Sequence, residues 1–70
     1  MNTVYEIVEV TGFGTVESPI EHCGTGLIFA DRVAAVREAA IMWKEKTTEQ
    51  QRKSSWCSLR YTIREITVRQ

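Results

Sequence analysis

Reactive side chains are scarce in this sequence: one histidine and two cysteines in 70 residues. His22 and Cys23 are adjacent, and Cys57 lies far along the chain. A zinc site needs about four ligands, commonly paired as C-x2-C or H-x3-H, so this set falls short of one. A Cys/His nucleophilic pair needs the imidazole aimed at the thiol, which neighbouring residues of a loop rarely achieve. A Cys23–Cys57 disulfide would require an oxidising compartment, and free thiols are the expectation. Gly24-Thr25-Gly26 superficially evokes a phosphate-cradling loop but lacks the GxxxxGK[ST] and GxGxxG spacings. Because a helix begins five residues later at Asp31, an anion near Gly24–Gly26 is weighed against an ordinary flexible loop. No catalytic residue, metal ligand or cofactor is assigned, and an enzyme is not expected.

The element that must position these groups is the stretch 31–46, DRVAAVREAAIMWKEK. Phe29, Val33, Val36, Ala40 and Trp43 recur at helical spacing and form one apolar stripe, widened by Ala35, Ala39 and Met42. Asp31 suits the N-cap, where its carboxylate accepts the free N–H groups of the first turn. Residues 3–11 read as a strand with Tyr5 and Ile7 on one face and Val4, Glu6, Val8 and Val10 on the other. Gly12-Phe13-Gly14 reads as a turn, after which residues 15–17 return as a short second strand stopped by Ser18-Pro19. The segment 19–26, PIEHCGTG, reads as an irregular loop, and residues 27–29 as a short strand or a buried lead into the helix. Beyond Lys46, Thr48 and Gln51 match a capping box, so the helix either continues to about residue 53 or restarts near Thr47. Residues 56–69 form the last strand, with Leu59, Tyr61 and Ile63 alternating against Arg60, Thr62 and Arg64. Ile66 and Val68 fall out of that phase, which a bulge near Arg64-Glu65 would restore. Without the bulge, Val8, Val10, Ile66 and Val68 share the face away from the helix and are candidates for a self-association patch.

Seventy residues make a single domain, 1–70, of marginal size, for which oligomerisation is a natural supplement. No run approaches the ~20 apolar residues of a membrane span. The first dozen residues hold Glu6 and Glu9 and no Lys or Arg, unlike a secretory signal, so the cytoplasm is the default compartment. Net charge is zero but lopsided. Residues 1–31 carry Glu6, Glu9, Glu17, Glu21 and Asp31 without a cation, whereas residues 32–70 carry all nine cations against four acids. Either two oppositely charged faces result, or the acidic first strand lies beside the basic last strand and the charges pair. A nucleic-acid surface would draw on Arg52, Lys53, Arg60, Arg64 and Arg69 with Trp56 and Tyr61, but Tyr61 faces the core and zero net charge argues against it.

The fold expected is α+β: a small antiparallel sheet of about three strands, in order β-β-α-β, with one helix packed across one face over Tyr5, Ile7, Leu59, Tyr61 and Ile63. In size and layout VYEIVEV, AAVREAA and SLRYTIREITV resemble the small phage-encoded inhibitor proteins of the anti-CRISPR type. The resemblance implies a non-enzymatic protein that binds a bacterial defence complex in the host cytoplasm and blocks it sterically. Such proteins share no motif from which a residue can be carried over. Glu17, Glu21 and His22 are the first candidates for binding, then Arg60 and Arg64, and a homodimer is expected. The alternative is an oligomer that sequesters a nucleotide-like anion at a subunit junction, through arginines of the open sheet face and Gly24–Gly26. A nucleic-acid-binding accessory protein is the third.

Overall fold

β-branched and aromatic residues crowd the first strand, and that strand becomes the middle of the sheet. The computed structural model describes residues 2–54 and 57–69. Its elements in order are β1 (Asn2–Thr11), β2 (Glu21–Phe29), α1 (Arg32–Lys46), α2 (Glu49–Lys53) and β3 (Arg60–Val68). The strands form one antiparallel sheet in the order β2-β1-β3, and α1 packs against all three. The architecture is α+β, as the hydrophobic pattern implied. Trp56, expected to open the last strand, lies outside the described residues. Among the described residues no helix is long and apolar enough to cross a membrane.

The second strand is not where the sequence placed it. Residues 15–17 are part of a bend, and the strand is Glu21–Phe29, which includes most of the expected irregular loop. The cause is local: Phe13, Gly14 and Thr15 all donate their N–H groups to the Ser18 carbonyl at 3.0–3.2 Å, so the chain curls there instead of extending. Glu21, His22, Cys23 and Gly24 then pair with Thr11, Val10, Glu9 and Val8. From Glu6 to Val8 the first strand advances two residues while β2 passes from Ile28 to Gly24, so β2 bulges by two residues. Gly26, at φ +80°, takes the backbone shape this bulge requires.

The β1–β3 ladder runs without a break from Asn2↔Val68 to Val10↔Arg60. Of the two alternatives left open for the end of β3, the unbulged one holds, and Ile66 and Val68 stay on the face of Arg60 and Arg64.

Asp31 caps α1, its Oδ1 accepting the Val33 N–H at 3.2 Å. The helix ends at Lys46 and restarts, because Thr48 and Gln51 complete the capping box with bonds of 3.1 and 2.8 Å. Arg52 reaches back and donates to the carbonyls of Lys44 and Thr47 at 3.0 and 2.6 Å, satisfying the open end of α1. The buried residues of α1 are Ala35 and Ala39, at the widened edge of the expected stripe and not at its centre: Val33 and Val36 are about half exposed. Alanine lets the helix backbone approach the sheet closely, and the valines are left beside the contact. Trp43 fixes the other end by donating its indole N–H to the Leu59 carbonyl at 2.9 Å. Ile7 of β1 is buried on the helix side with Ala35 and Ala39, and Val8 and Val10 are buried on the opposite face of the strand.

Glu6 is buried at the centre of this sheet and touches all three strands. Its Oε1 accepts from Arg64 Nη2 of β3, and its Oε2 accepts the Gly26 N–H of β2 at 3.2 Å. Gly24 leaves the room: a Cβ there would stand 2.6 Å from Glu6 Oε2. The acidic first strand thus pairs with the basic last one, and the glycines that evoked an anion cradle hold the chain's own carboxylate. The Arg64 hydrogen bond and then the Gly26 N–H lower the Glu6 pKa below its ordinary 4.5, against a smaller opposing effect of burial. A depressed carboxylate stabilises the fold fully above pH 4.5 and loses that contribution as pH falls through the lower folded value. Wild type therefore unfolds at higher urea than Glu6→Gln at neutral pH, and the gap closes as pH drops below 4.5. A pH-independent gap in urea midpoints contradicts this role.

Candidate functional site

The loop between β1 and β2, residues 12–20, is short on space and rich in internal bonds. Gly12, at φ +97°, is forced: a Cβ there would stand 2.1 Å from the Pro19 carbonyl oxygen. Gly14, at φ +81°, sits under the Ile20 side chain. The three N–H groups converging on the Ser18 carbonyl are joined by the Ser18 N–H, which donates to Thr15 Oγ1 at 2.9 Å. The result is a loop held in one shape with apolar side chains outside it. Val16 is fully exposed, and Phe13 and Ile20 are about half exposed. Surface apolar residues scattered singly need no explanation, but three on one braced loop form a cluster that does.

Glu17 lies on this loop, and Glu21 and His22 open β2 just after it; all three are exposed. The structure therefore gathers the three residues first suspected from sequence at one end of the sheet. Arg60 also reaches this end, because Val10 pairs with His22 on one side and Arg60 on the other. Arg64 does not: it lies further along β3 and is engaged with Glu6. Phe13, Val16 and Ile20 were missed in the sequence. Their signal was faint, an aromatic between two turn glycines and a valine in an otherwise polar bend.

Val8, Val10, Ile66 and Val68 share a face of the sheet, but the Glu6–Arg64 row separates the first two from the last two. Val8 and Val10 are also buried, so of these four only Val68 and a half-buried Ile66 leave apolar surface on this face, beside the half-exposed Ile28 of β2.

On the helix side, an open groove of about 650 Å3 runs between α1 and β3, lined by Val36, Ala40, Trp43, Tyr61 and Ile63 with Arg32 and Arg60. Tyr61 donates its hydroxyl proton to Glu9 Oε2 at 3.0 Å. Burial, with the neighbouring Glu9 carboxylate, raises its pKa above 10, so it is a neutral donor at physiological pH. Cys23 and Cys57 are both free thiols. Among the described residues, no group of three His, Cys, Asp or Glu side chains is placed to hold a metal ion.

A braced loop that presents apolar side chains beside carboxylates suits protein recognition, because a surface already ordered loses little entropy on binding. The bracing depends on Gly12. Gly12→Ala is expected to cost more than about 1 kcal/mol, since alanine meets both positive φ and a backbone clash. The check is amide hydrogen exchange: protection of Phe13, Gly14 and Thr15 should fall in the variant, and unchanged protection would refute the bracing.

Compared with protein-family models, curated proteins and solved structures, the chain matches none of them.

Proposed function

We propose that this is a non-enzymatic binding protein that docks through the β1–β2 loop onto a partner protein and blocks it sterically. The observation that carries the reading is the braced loop itself, with Val16 wholly exposed and Phe13 and Ile20 half exposed beside Glu17 and Glu21. Apolar anchors on a rigid support supply affinity, and a rim of charge supplies orientation.

The charge pattern says what kind of surface the partner presents. Among the described residues neither Glu17 nor Glu21 is in an ion pair, and Arg60 stands across β1 at the same end of the sheet. Glu6 and Glu9, by contrast, are engaged within the fold by Arg64 and Tyr61. An acidic, apolar tip fits an electropositive cleft with an apolar floor, the kind of surface a nucleic-acid-handling complex offers. A bacterial defence complex is the partner we favour, in keeping with the resemblance in layout to phage-encoded inhibitors. Sequestration of a nucleotide-like anion is less well supported, because the Gly26 N–H it would use is already given to Glu6.

Affinity-tagged protein in bacterial lysate tests the reading. Wild type is expected to retain a host protein at stoichiometric level. Val16→Asp, at a fully exposed position, should lose about 2 kcal/mol of binding, or about thirty-fold in Kd, while remaining folded. Val68→Asp, away from the loop, should bind as wild type does. Failure to retain any host protein, or equal retention by Val16→Asp, would sink the proposal.

A further inference from the structure

The chain exposes more surface than a monomer of its size should. Its accessible area is 5453 Å2 for 8.0 kDa, whereas a compact monomer of that mass exposes about 4,450 Å2. The Cα radius of gyration tells the same story, 13.7 Å against about 11 Å for a compact domain of this length. The excess, about 1,000 Å2, is close to the roughly 800 Å2 that each partner contributes to a standard interface.

Where that surface belongs follows from the two sheet edges. β2 is one edge, and its two-residue bulge with Gly26 at positive φ makes it a poor template for another strand. β3 is the other, and it runs unbroken for nine residues from Arg60 to Val68. The apolar groove opens alongside it, between the half-exposed Val36 of α1 and the Tyr61 and Ile63 side chains.

We infer that the chain forms a homodimer in which β3 pairs antiparallel with β3 of a second copy about a two-fold axis at Ile63. The α1 helix of each copy then closes the groove of the other. Three registers overlap at least seven of the nine β3 residues, with the axis at 63, 64 or 65, and among these charge selects one. A two-fold axis normal to the sheet places residues of like face opposite each other, so it must pass through one residue. At Arg64 it sets two guanidinium groups face to face, and at Glu65 two carboxylates. At Thr62 it sets Arg60 against the partner's Arg64. Like charges directly opposite are destabilising. At Ile63 the pairs are Ile63 with its own copy, Tyr61 with the partner's Glu65, Thr62 with the partner's Arg64, and Arg60 with the partner's Ile66. No like charges meet, and the apolar residue of the groove lies on the axis. Val36 of each helix then faces the other helix across it. The proposal goes beyond the loop reading and uses a different surface, so the two stand or fall separately.

Sedimentation equilibrium and cysteine cross-linking decide it. Wild type should weigh two chains in solution. Val36→Glu, half exposed in the monomer and so compatible with folding, should raise the dimer Kd at least about thirty-fold with an unchanged circular dichroism spectrum. In a Cys23→Ser/Cys57→Ser background, Ile63→Cys should form an intermolecular disulfide under oxidised glutathione, and Val68→Cys should not. A monomeric wild type overturns the inference. So does a dimer that survives Val36→Glu, or one that cross-links at position 68 and not at 63.

Discussion

The carboxylate of Glu6 is the constraint on which the rest of the sheet depends. It belongs to the middle strand, is buried, and bonds to Gly26 of one neighbour and Arg64 of the other. A buried charge must be satisfied or it destabilises the fold that hides it, and here one satisfied group fixes both flanking strands at once. Three features of the chain follow from it. β2 must bulge to bring a free N–H toward the carboxylate, position 24 must leave the carboxylate its place, since a Cβ there would push it aside, and β3 must keep the register that sets Arg64 opposite Glu6. Thr25 supports the same bulge by donating its hydroxyl to the Ile7 carbonyl at 2.7 Å.

With the sheet held by a polar clamp, the helix needs little contact to hold its place. Ala35 and Ala39 are its buried residues, and Trp43 pins its C-terminal half to the segment before β3. The consequence is a surplus of apolar surface, because Val33, Val36 and Ile41 of α1 stay about half exposed. The loop after β1 adds Phe13, Val16 and Ile20 at another place. Of the helix residues Val36 lines the groove beside the free edge of β3, and the loop is a braced projection with acidic neighbours. The separation keeps the surface of the proposed dimer apart from that of the proposed partner.

Much of the fold was legible because it rests on local physics. β1, the Asp31 cap, the Thr48–Gln51 box and the β-β-α-β order all follow from propensity, capping and period. Two features were not legible. Glycine ordinarily marks a turn, so Gly24 and Gly26 suggested a loop; only the position of a carboxylate from a different strand explains them within β2. The helix stripe misled for a related reason. Spacing identifies which residues share a face but not how close the helix lies, and here alanine, not valine, won the contact. For the candidate site, Glu17, Glu21 and His22 were suspected on the resemblance in layout, as residues of the expected loop, and they lie at one end of the sheet, while Phe13, Val16 and Ile20 were passed over. Their exposure comes from three N–H groups converging on Ser18, an arrangement no spacing rule announces.

The most direct test of the clamp is a carbon-13 NMR titration of the Glu6 side-chain carboxyl in the folded protein. The account predicts a midpoint below the ordinary 4.5, rising toward it in Arg64→Gln. A midpoint at or above 4.5 in wild type would mean that the carboxylate is not held by Arg64 and Gly26, and would contradict the account.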